Sequence, residues 1–411
     1  MGKALMVSQA SAVFTLADGD EVNLFGYGND TAIEANTQAS ATEGCTFSSL
    51  GFNVYDGGSG TNNLRFRDAG ANGNQLATRA GAGVAEDAVN TDALSAGDLF
   101  NLAYTGTGTD SVVAWIKANV EFASGHGCFH GSAAFAGSVH DVASATRFIA
   151  LAGSRVGDGD ATEANAAFRV RGYDTFDALQ VRVTANARTN NSVFRNRING
   201  GDGTGVITFA AGATGLVVDD GLADAIADGQ AICASITLGT GNQDLTVAFV
   251  VATLKSSASA QDTWAAFEFG IARNASADAT YSPIGGLLAG LAQRTEAQAR
   301  IKPGFAGVAS NLRCYLSANT YTGDGTLKLM QNGVAVITTT ITAGGGAGWY
   351  ENTVDSVSFD DDDEFSFEWD EGTSGSITMH MAGVTFSPEP GGGFQPAWAV
   401  GNNVVLGAGV H

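Results

Sequence analysis

The chain of 411 residues repeats itself three times, and that periodicity limits what it can fold into more than any other feature. The segment Thr46-Phe47-Ser48-Ser49-Leu50 returns as Thr175-Phe176-Asp177-Ala178-Leu179 and as Val308-Ala309-Ser310-Asn311-Leu312. Glu34-Ala35-Asn36, Glu163-Ala164-Asn165 and Glu296-Ala297-Gln298 precede those leucines in the same phase. Downstream, Asn72-Gly73 is matched to Asn199-Gly200 and Asn332-Gly333, and Ala80-Gly81 to Ala211-Gly212 and Ala343-Gly344. The copies are expected over residues 13–122, 132–254 and 263–386, after an N-terminal segment over 1–12 and before a linker and apolar arm over 387–411.

Each copy reads as strands and turns. Asn-Gly supplies the positive φ pair that a two-residue hairpin needs, and Val334 to Ile341 leaves one such turn as a β-branched run. Glu364-Phe365-Ser366-Phe367-Glu368-Trp369 alternates with period two, which buries one sheet face. About eight short strands per copy predict an all-β fold of three tandem β-sandwiches, with the jelly roll preferred over an immunoglobulin-like order. The stretch from Asn274 to Leu291 is extra to the third copy and is expected to be a surface loop.

Charge narrows the function. With 42 acidic against 20 basic residues the net charge is −22, which repels a phosphate backbone, so direct nucleic-acid binding is not expected. No apolar run reaches the length of a membrane span, and the N-terminus lacks a signal peptide's apolar stretch. Cys45, Cys128, Cys233 and Cys314 fall at unmatched places in the copies and are expected as free core thiols.

Chemistry-bearing motifs are few. Asp360 to Glu364 offers carboxylates to Ca²⁺, yet the other copies have a plain turn there, so a solvated turn is expected. His126-Gly127-Cys128-Phe129-His130 lacks a second ligand pair and is expected to link two copies rather than hold a metal. Signature motifs of nucleophilic, phosphate-binding and zinc catalysis are absent from the sequence, so the reading is a non-enzyme with no cofactor and no metal. Trp349-Tyr350, after a glycine-rich run, is a possible ligand loop on which a sugar could stack, whereas Trp115, Trp264 and Trp369 fit the core. Beyond the linker, Phe394, Pro396, Trp398, Val400, Val404, Val405 and Leu406 form an apolar arm expected to dock on a neighbouring subunit.

The Thr-Phe-x-x-Leu opening, the Asn-Gly hairpin, the Ala-Gly turn and closing strands such as Gly375 to Met379 resemble tandem jelly-roll modules of tailed-bacteriophage virion proteins. That resemblance implies a virion component of decoration, fibre or tail-appendage type, assembled in the host cytoplasm. Its implied partners are other copies of itself and other virion proteins, while a host-surface glycan is the partner a sugar-stacking loop at Trp349-Tyr350 would take. A glycan-binding adhesin and a subunit of a cellular surface filament are the alternatives.

Overall fold

In the computed structural model, the described residues are 3–388, apart from 9–13, 25, 32–33, 57–59, 108–110, 125, 134–144, 152–158, 241–243, 257–260, 275–278, 285, 288–294 and 371. The first copy contains β1 (Lys3–Ser8), β2 (Glu21–Asn23), β3 (Cys45–Asp56), β4 (Thr61–Asp68), β5 (Ala71–Ala80), β6 (Gly83–Leu94), β7 (Leu99–Gly106) and β8 (Ser111–Phe122). The second contains β9 (His126–Ala133), β10 (Thr146–Ile149), β11 (Thr175–Asn186), β12 (Ser192–Ile198), β13 (Gly201–Phe209), β14 (Gly215–Asp219), β15 (Ala231–Thr237) and β16 (Leu245–Ser256). The third contains β17 (Gln261–Asn274), β18 (Thr280–Ser282), β19 (Gly307–Asn319), β20 (Gly325–Gln331), β21 (Val334–Ile341), β22 (Gly348–Phe359), β23 (Phe365–Asp370) and β24 (Ser376–Pro388).

These strands form six sheets. They run β1-β8-β3-β6 and β2-β7-β4-β5, then β9-β16-β11-β14 and β10-β15-β12-β13, then β17-β24-β19-β22 and β18-β23-β20-β21. Numbered one to eight within a copy, each pair of sheets therefore reads 1-8-3-6 and 2-7-4-5. That is the order of an eight-stranded double Greek key, the jelly roll, and it removes the immunoglobulin-like alternative. Short extra strands extend these sheets, among them Phe14–Leu16 on β8 and Gly286–Leu287, which runs parallel to β17.

Two placements differ from expectation. Residues 3–8, expected ahead of the first copy, form β1 against β8, and residues 126–130, expected to be a link, belong to β9, which pairs with β16. Both pair with the last strand of a copy, roughly a hundred residues away, a relation that local pattern does not carry. The Asn274 to Leu291 stretch is likewise more than a surface loop. It contains β18, paired with β23, and Ile284 is fully buried.

The turns explain the repeat. The hairpins after β12 and β20 place Asn199-Gly200 and Asn332-Gly333 at φ of 51° and 82°, and 50° and 86°. In the first copy the turn is Ala69-Gly70, at 46° and 86°, while Asn72-Gly73 lies within β5. The matching of Asn72-Gly73 to the other turns is thus corrected by three residues. A one-turn helical segment precedes the third strand of every copy, at Glu34–Asn36, Glu163–Ala166 and Glu296–Ala299. Glu34 and Glu163 each grip an arginine of the fourth strand in a two-bond fork, Arg67 at 2.9 and 3.0 Å and Arg197 at 3.0 and 2.8 Å. Both arginines also donate to the turn glycine's carbonyl, Gly70 or Gly200. The third copy has Met330 at that place in β20, and Arg300 from the helix end reaches Glu296 and Glu364 instead.

Leu50, Leu179 and Leu312 are fully buried, as are all four cysteines, which are unpaired with one another. Burial pushes the Cys45 thiol up to about 12. One apolar cluster runs through the first and second copies and reaches Met381 of the third, and a second cluster fills the third copy and takes in Trp115 of the first.

Candidate assembly interface

The three sandwiches meet at three seams, all built from the same two places in the repeat. One partner is the outer face of the 1-8-3-6 sheet, centred on the residue after the landmark leucine: Gly51, Gln180 or Arg313. The other is the segment about ten residues before that leucine: Ser40, Arg169 or Lys302. Because side chains alternate along a strand, a buried leucine turns its neighbour to the outer face of the sheet, where Gln180 bonds another copy.

The second copy docks on the first through a neutral, peptide-like pair. Ser40 N–H donates to Gln180 Oε1 at 3.0 Å, and Gln180 Nε2 donates to Ser40 O at 2.8 Å. Thr42 and Thr253 hydroxyls meet at 3.1 Å, and Phe129 packs on Phe100 and Phe122 at 5.6 and 4.9 Å. At the rim, Lys255 bridges Glu43 and Asp177, each at 2.9 Å.

The first copy docks on the third through β8. Trp115 joins the apolar cluster of the third copy. Two residues on, Lys117 is fully buried, its Nζ donating to Glu86 Oε1 at 2.8 Å and to Lys302 O at 3.2 Å. Gly51 makes room, since a Cβ there would lie 3.0 Å from Lys117 Cε. Burial pulls the Lys117 pKa down, opposed by the Glu86 charge and hydrogen bond.

The third copy docks on the second through Glu351, the cross-strand partner of Arg313, as Glu86 is of Gly51. Its carboxylate lies 3.5 Å from Arg169 Nη1 and 3.2 Å from Arg171 Nη2. The Arg169 guanidinium stands 5.4 Å above the Trp349 ring, which also packs at 5.4 Å on Tyr315.

The docking therefore runs second on first, first on third, third on second. Such head-to-tail contacts make an open filament unless the rotation closes, and here it closes after three copies.

The proposed sites can be placed on this frame. Trp349 and Tyr350 lie in β22, not in a loop. Trp349 is covered by Arg169 at a seam, and the Tyr350 hydroxyl donates to Gly346 O while accepting from Asn319 Nδ2, both at 2.9 Å. The residues of the apolar arm, Phe394 to Leu406, lie outside the described residues. His130 is fully buried, Nε2 at 2.8 Å from the Tyr173 hydroxyl, and burial lowers its pKa to about 3. In the acidic run, Asp363 closes its own turn by accepting from Asp360 N–H at 2.7 Å, and Gln331 and Asn332 side chains donate to its other faces. Asp98 caps Ser95 N–H and Gln230 caps Ala227 N–H in the same way in the other copies. Among the described residues no group of three or more His, Cys, Asp or Glu side chains is arranged to hold a metal, and no helix is long and apolar enough to cross a membrane.

No family model matches the sequence, and no curated protein does. Among solved structures, the chain is similar to one described for the triple jelly roll fold and turret assembly of an archaeal virus, at 11% identity over 95% of this chain and 92% of that one, TM-score 0.20. It is similar to Sulfolobus turreted icosahedral virus at 13% identity over 94% and 92%, TM-score 0.20. It is also similar to the major capsid protein P2 of bacteriophage PM2 at 10% identity over 64% and 98%, TM-score 0.19. The jelly-roll assignment rests on strand order.

Proposed function

We propose that this chain is a non-enzymatic structural component of a virion, a trimer-like tile of three jelly rolls closed into a ring within one polypeptide. The observation that carries the reading is the cyclic set of seams. It gives a single chain a near-threefold outline, which suits a repetitive shell whose sites have threefold or sixfold surroundings. Ring closure uses up the head-to-tail surfaces that a fibre shaft or surface filament would need for growth. A shell-surface position is therefore favoured over fibre, tail or filament. The net charge of −22 keeps the tile off nucleic acid and directs it to protein partners, other copies first. The apolar arm supplies the link between tiles. Burying about 400 Å² of apolar surface, at roughly 25 cal/mol per Å², gives on the order of 10 kcal/mol before ordering costs.

Size-exclusion chromatography with light scattering on the full chain and on a truncation ending at Ser387 tests this. The full chain is expected as a multimer and the truncation as a single chain. Single chains in both samples at every concentration would overturn the arm-linked tile.

A further inference from the structure

A sheet edge is a row of unsatisfied backbone groups, and the near-threefold repeat shows two copies capping an edge that the third leaves open. In every copy the fifth strand ends one sheet and the sixth ends the other. In the first copy, Asp92 on β6 accepts from the N–H groups of Asn74 and Gln75 at 2.6 and 3.0 Å, and Asp87 accepts from Leu76 N–H at 2.8 Å. In the second, Asp224 accepts from Thr204 N–H at 2.8 Å and Asp219 from Val206 N–H at 2.9 Å. These carboxylates are equivalent by register, since Asp87 and Asp219 pair with Leu50 and Leu179, and Asp92 and Asp224 with Phe47 and Phe176. The third copy has Asn352 opposite Leu312 and Val357 opposite Ala309. Valine has no acceptor, and Asn352 Oδ1 accepts from Val354 and Asp355 N–H instead.

The fifth strand of the third copy, β21, is therefore left without carboxylate caps. Asn352 Nδ2 donates to Thr338 O at 2.8 Å from outside the sheet, so Thr338, and by alternation Thr340, turn their backbone groups away from β20. Among the described residues no side chain accepts from either N–H. Both threonines are exposed, and Val334 at the start of the strand is 64% exposed. Charge, Lys or Pro ordinarily guards an edge, yet β21 alone among the fifth and sixth strands of the three copies has no charged residue and no proline. The seam residues of the third copy, Glu351, Trp349, Tyr315 and Lys302, lie outside β21, so ring closure leaves this edge uncovered.

We propose that β21 receives the apolar arm of a second chain as an added strand, an inference that rests on the arm-linked tile. Number, charge and reach argue for that occupant. Each chain has one uncapped fifth-strand edge and one arm. Beyond Glu389 the arm has no Asp, Glu, Lys or Arg, which suits an uncharged edge and not the carboxylate-bearing ones. Phe394, Pro396, Trp398 and Val400 alternate, which puts them on one face of an extended strand. Pro396 lacks an N–H, which is tolerated because the added strand is itself the new edge. Roughly 20 residues beyond Pro388, at about 3.3 Å each, reach about 70 Å, enough to cross to a neighbouring tile. Main-chain hydrogen bonds to Thr338 and Thr340 hold such a strand, and Val334 offers it apolar contact.

A fluorescent peptide of residues 391–410, titrated into the chain truncated at Ser387, tests the docking by anisotropy, and light scattering on the full chain tests the assembly. One saturable site per chain is expected. Thr338→Pro, which removes an N–H that β20 does not use, should weaken peptide binding about tenfold or more. Thr340→Lys, which charges the edge without changing the backbone, should do the same, with circular dichroism checking the fold of both. Val206→Lys on the capped edge of the second copy should leave binding unchanged. In the full chain, Thr338→Pro and Thr340→Lys should each give single chains. A peptide that does not bind, or that binds both β21 variants as tightly as the parent, overturns the inference even where the full chain is a multimer. Single chains from the unaltered full-length protein, with a peptide that still binds at β21, overturn the tile reading and leave the docking site standing.

Discussion

Replacing Glu86 by Gln should weaken the seam between the first and third copies by about 3 kcal/mol. Lys117 is fully buried there, and among the described residues only Glu86 supplies it with opposite charge at contact distance. Removing one partner of a buried ion pair costs about 3–5 kcal/mol, and the Glu86 side chain's 25% exposure to water puts this case at the low end. The other groups facing Lys117 deepen the loss, since Lys302 adds positive charge and the Lys302 carbonyl is neutral. The loss should also depend on pH. Burial already holds the Lys117 pKa below its unfolded value, and removing Glu86 lowers it further. Between the two pKa values the unfolded chain binds more protons, so stability rises with pH, and the deficit shrinks toward the unfolded lysine value near ~10.4. Urea unfolding followed by tryptophan fluorescence reads this directly, because Trp115 lies in the same seam. The double variant Lys117→Met with Glu86→Gln should recover most of the loss, short of about 1 kcal/mol for the stranded Lys302 carbonyl. A single-variant loss under about 1 kcal/mol with no change in pH slope, or a double variant no better than the single, refutes the reasoning.

Three further outcomes are expected. Ala69 holds a left-handed φ of 46° where the other copies carry Asn, so Ala69→Asn should raise the unfolding midpoint, by about 1 kcal/mol in stability. Burial pushes the Asp363 carboxyl up, but hydrogen bonds from Asp360, Asn332 and Gln331 outweigh it and hold the pKa below the usual range. Asp363→Ala should therefore cost about 1 kcal/mol at neutral pH and less in acid, and thermal scans with and without Ca²⁺ should coincide. Glu21 is raised to about 7, first by burial and then by the neighbouring Glu34 charge. Its folded state keeps a proton the unfolded chain has lost, so stability falls as pH rises from the ordinary carboxylate range through 7, and Glu21→Gln should flatten that slope in pH-dependent melting.

The period and strand class were legible in the sequence because both rest on local chemistry. Gly81, Gly212 and Gly344 all take positive φ at the positions the repeat aligned, 65°, 72° and 62°. The first hairpin was misplaced because Asn72-Gly73 carries the stronger turn signal, whereas the fold uses Ala69-Gly70 and holds Asn72-Gly73 in β5. Trp349 and Tyr350 read as a loop because glycines precede them, yet β22 begins at Gly348. The seams left a fainter trace. The residue after each buried leucine changes from Gly to Gln to Arg, an unusual set for a strand position, and each suits a different neighbour. For Gln180 that neighbour is Ser40 of another copy, 140 residues away, so no window along the chain can pair them.

The chemical differences among the seams give the ring its order. If the first copy docked on the second instead of the third, Lys117 would face Arg169 and Arg171, and Glu351 docked on the first copy would face Glu43 near Ser40. Like charges so placed disfavour the wrong cycle. The seam between the first and third copies has the hardest task. Consecutive copies adjoin in sequence, whereas the first and third are separated by the whole second copy, Lys117 meeting Lys302 across 185 residues. It is also the seam plugged by Trp115, and truncating a buried tryptophan costs about 3–5 kcal/mol. Once opened, the same two surfaces can be satisfied between chains, which is domain swapping. Trp115→Ala in the truncation ending at Ser387 should therefore produce dimers of twice the chain mass, growing with concentration in light scattering. A strictly single-chain mass at all concentrations, with the fold retained by circular dichroism, would mean that the ring does not depend on this seam.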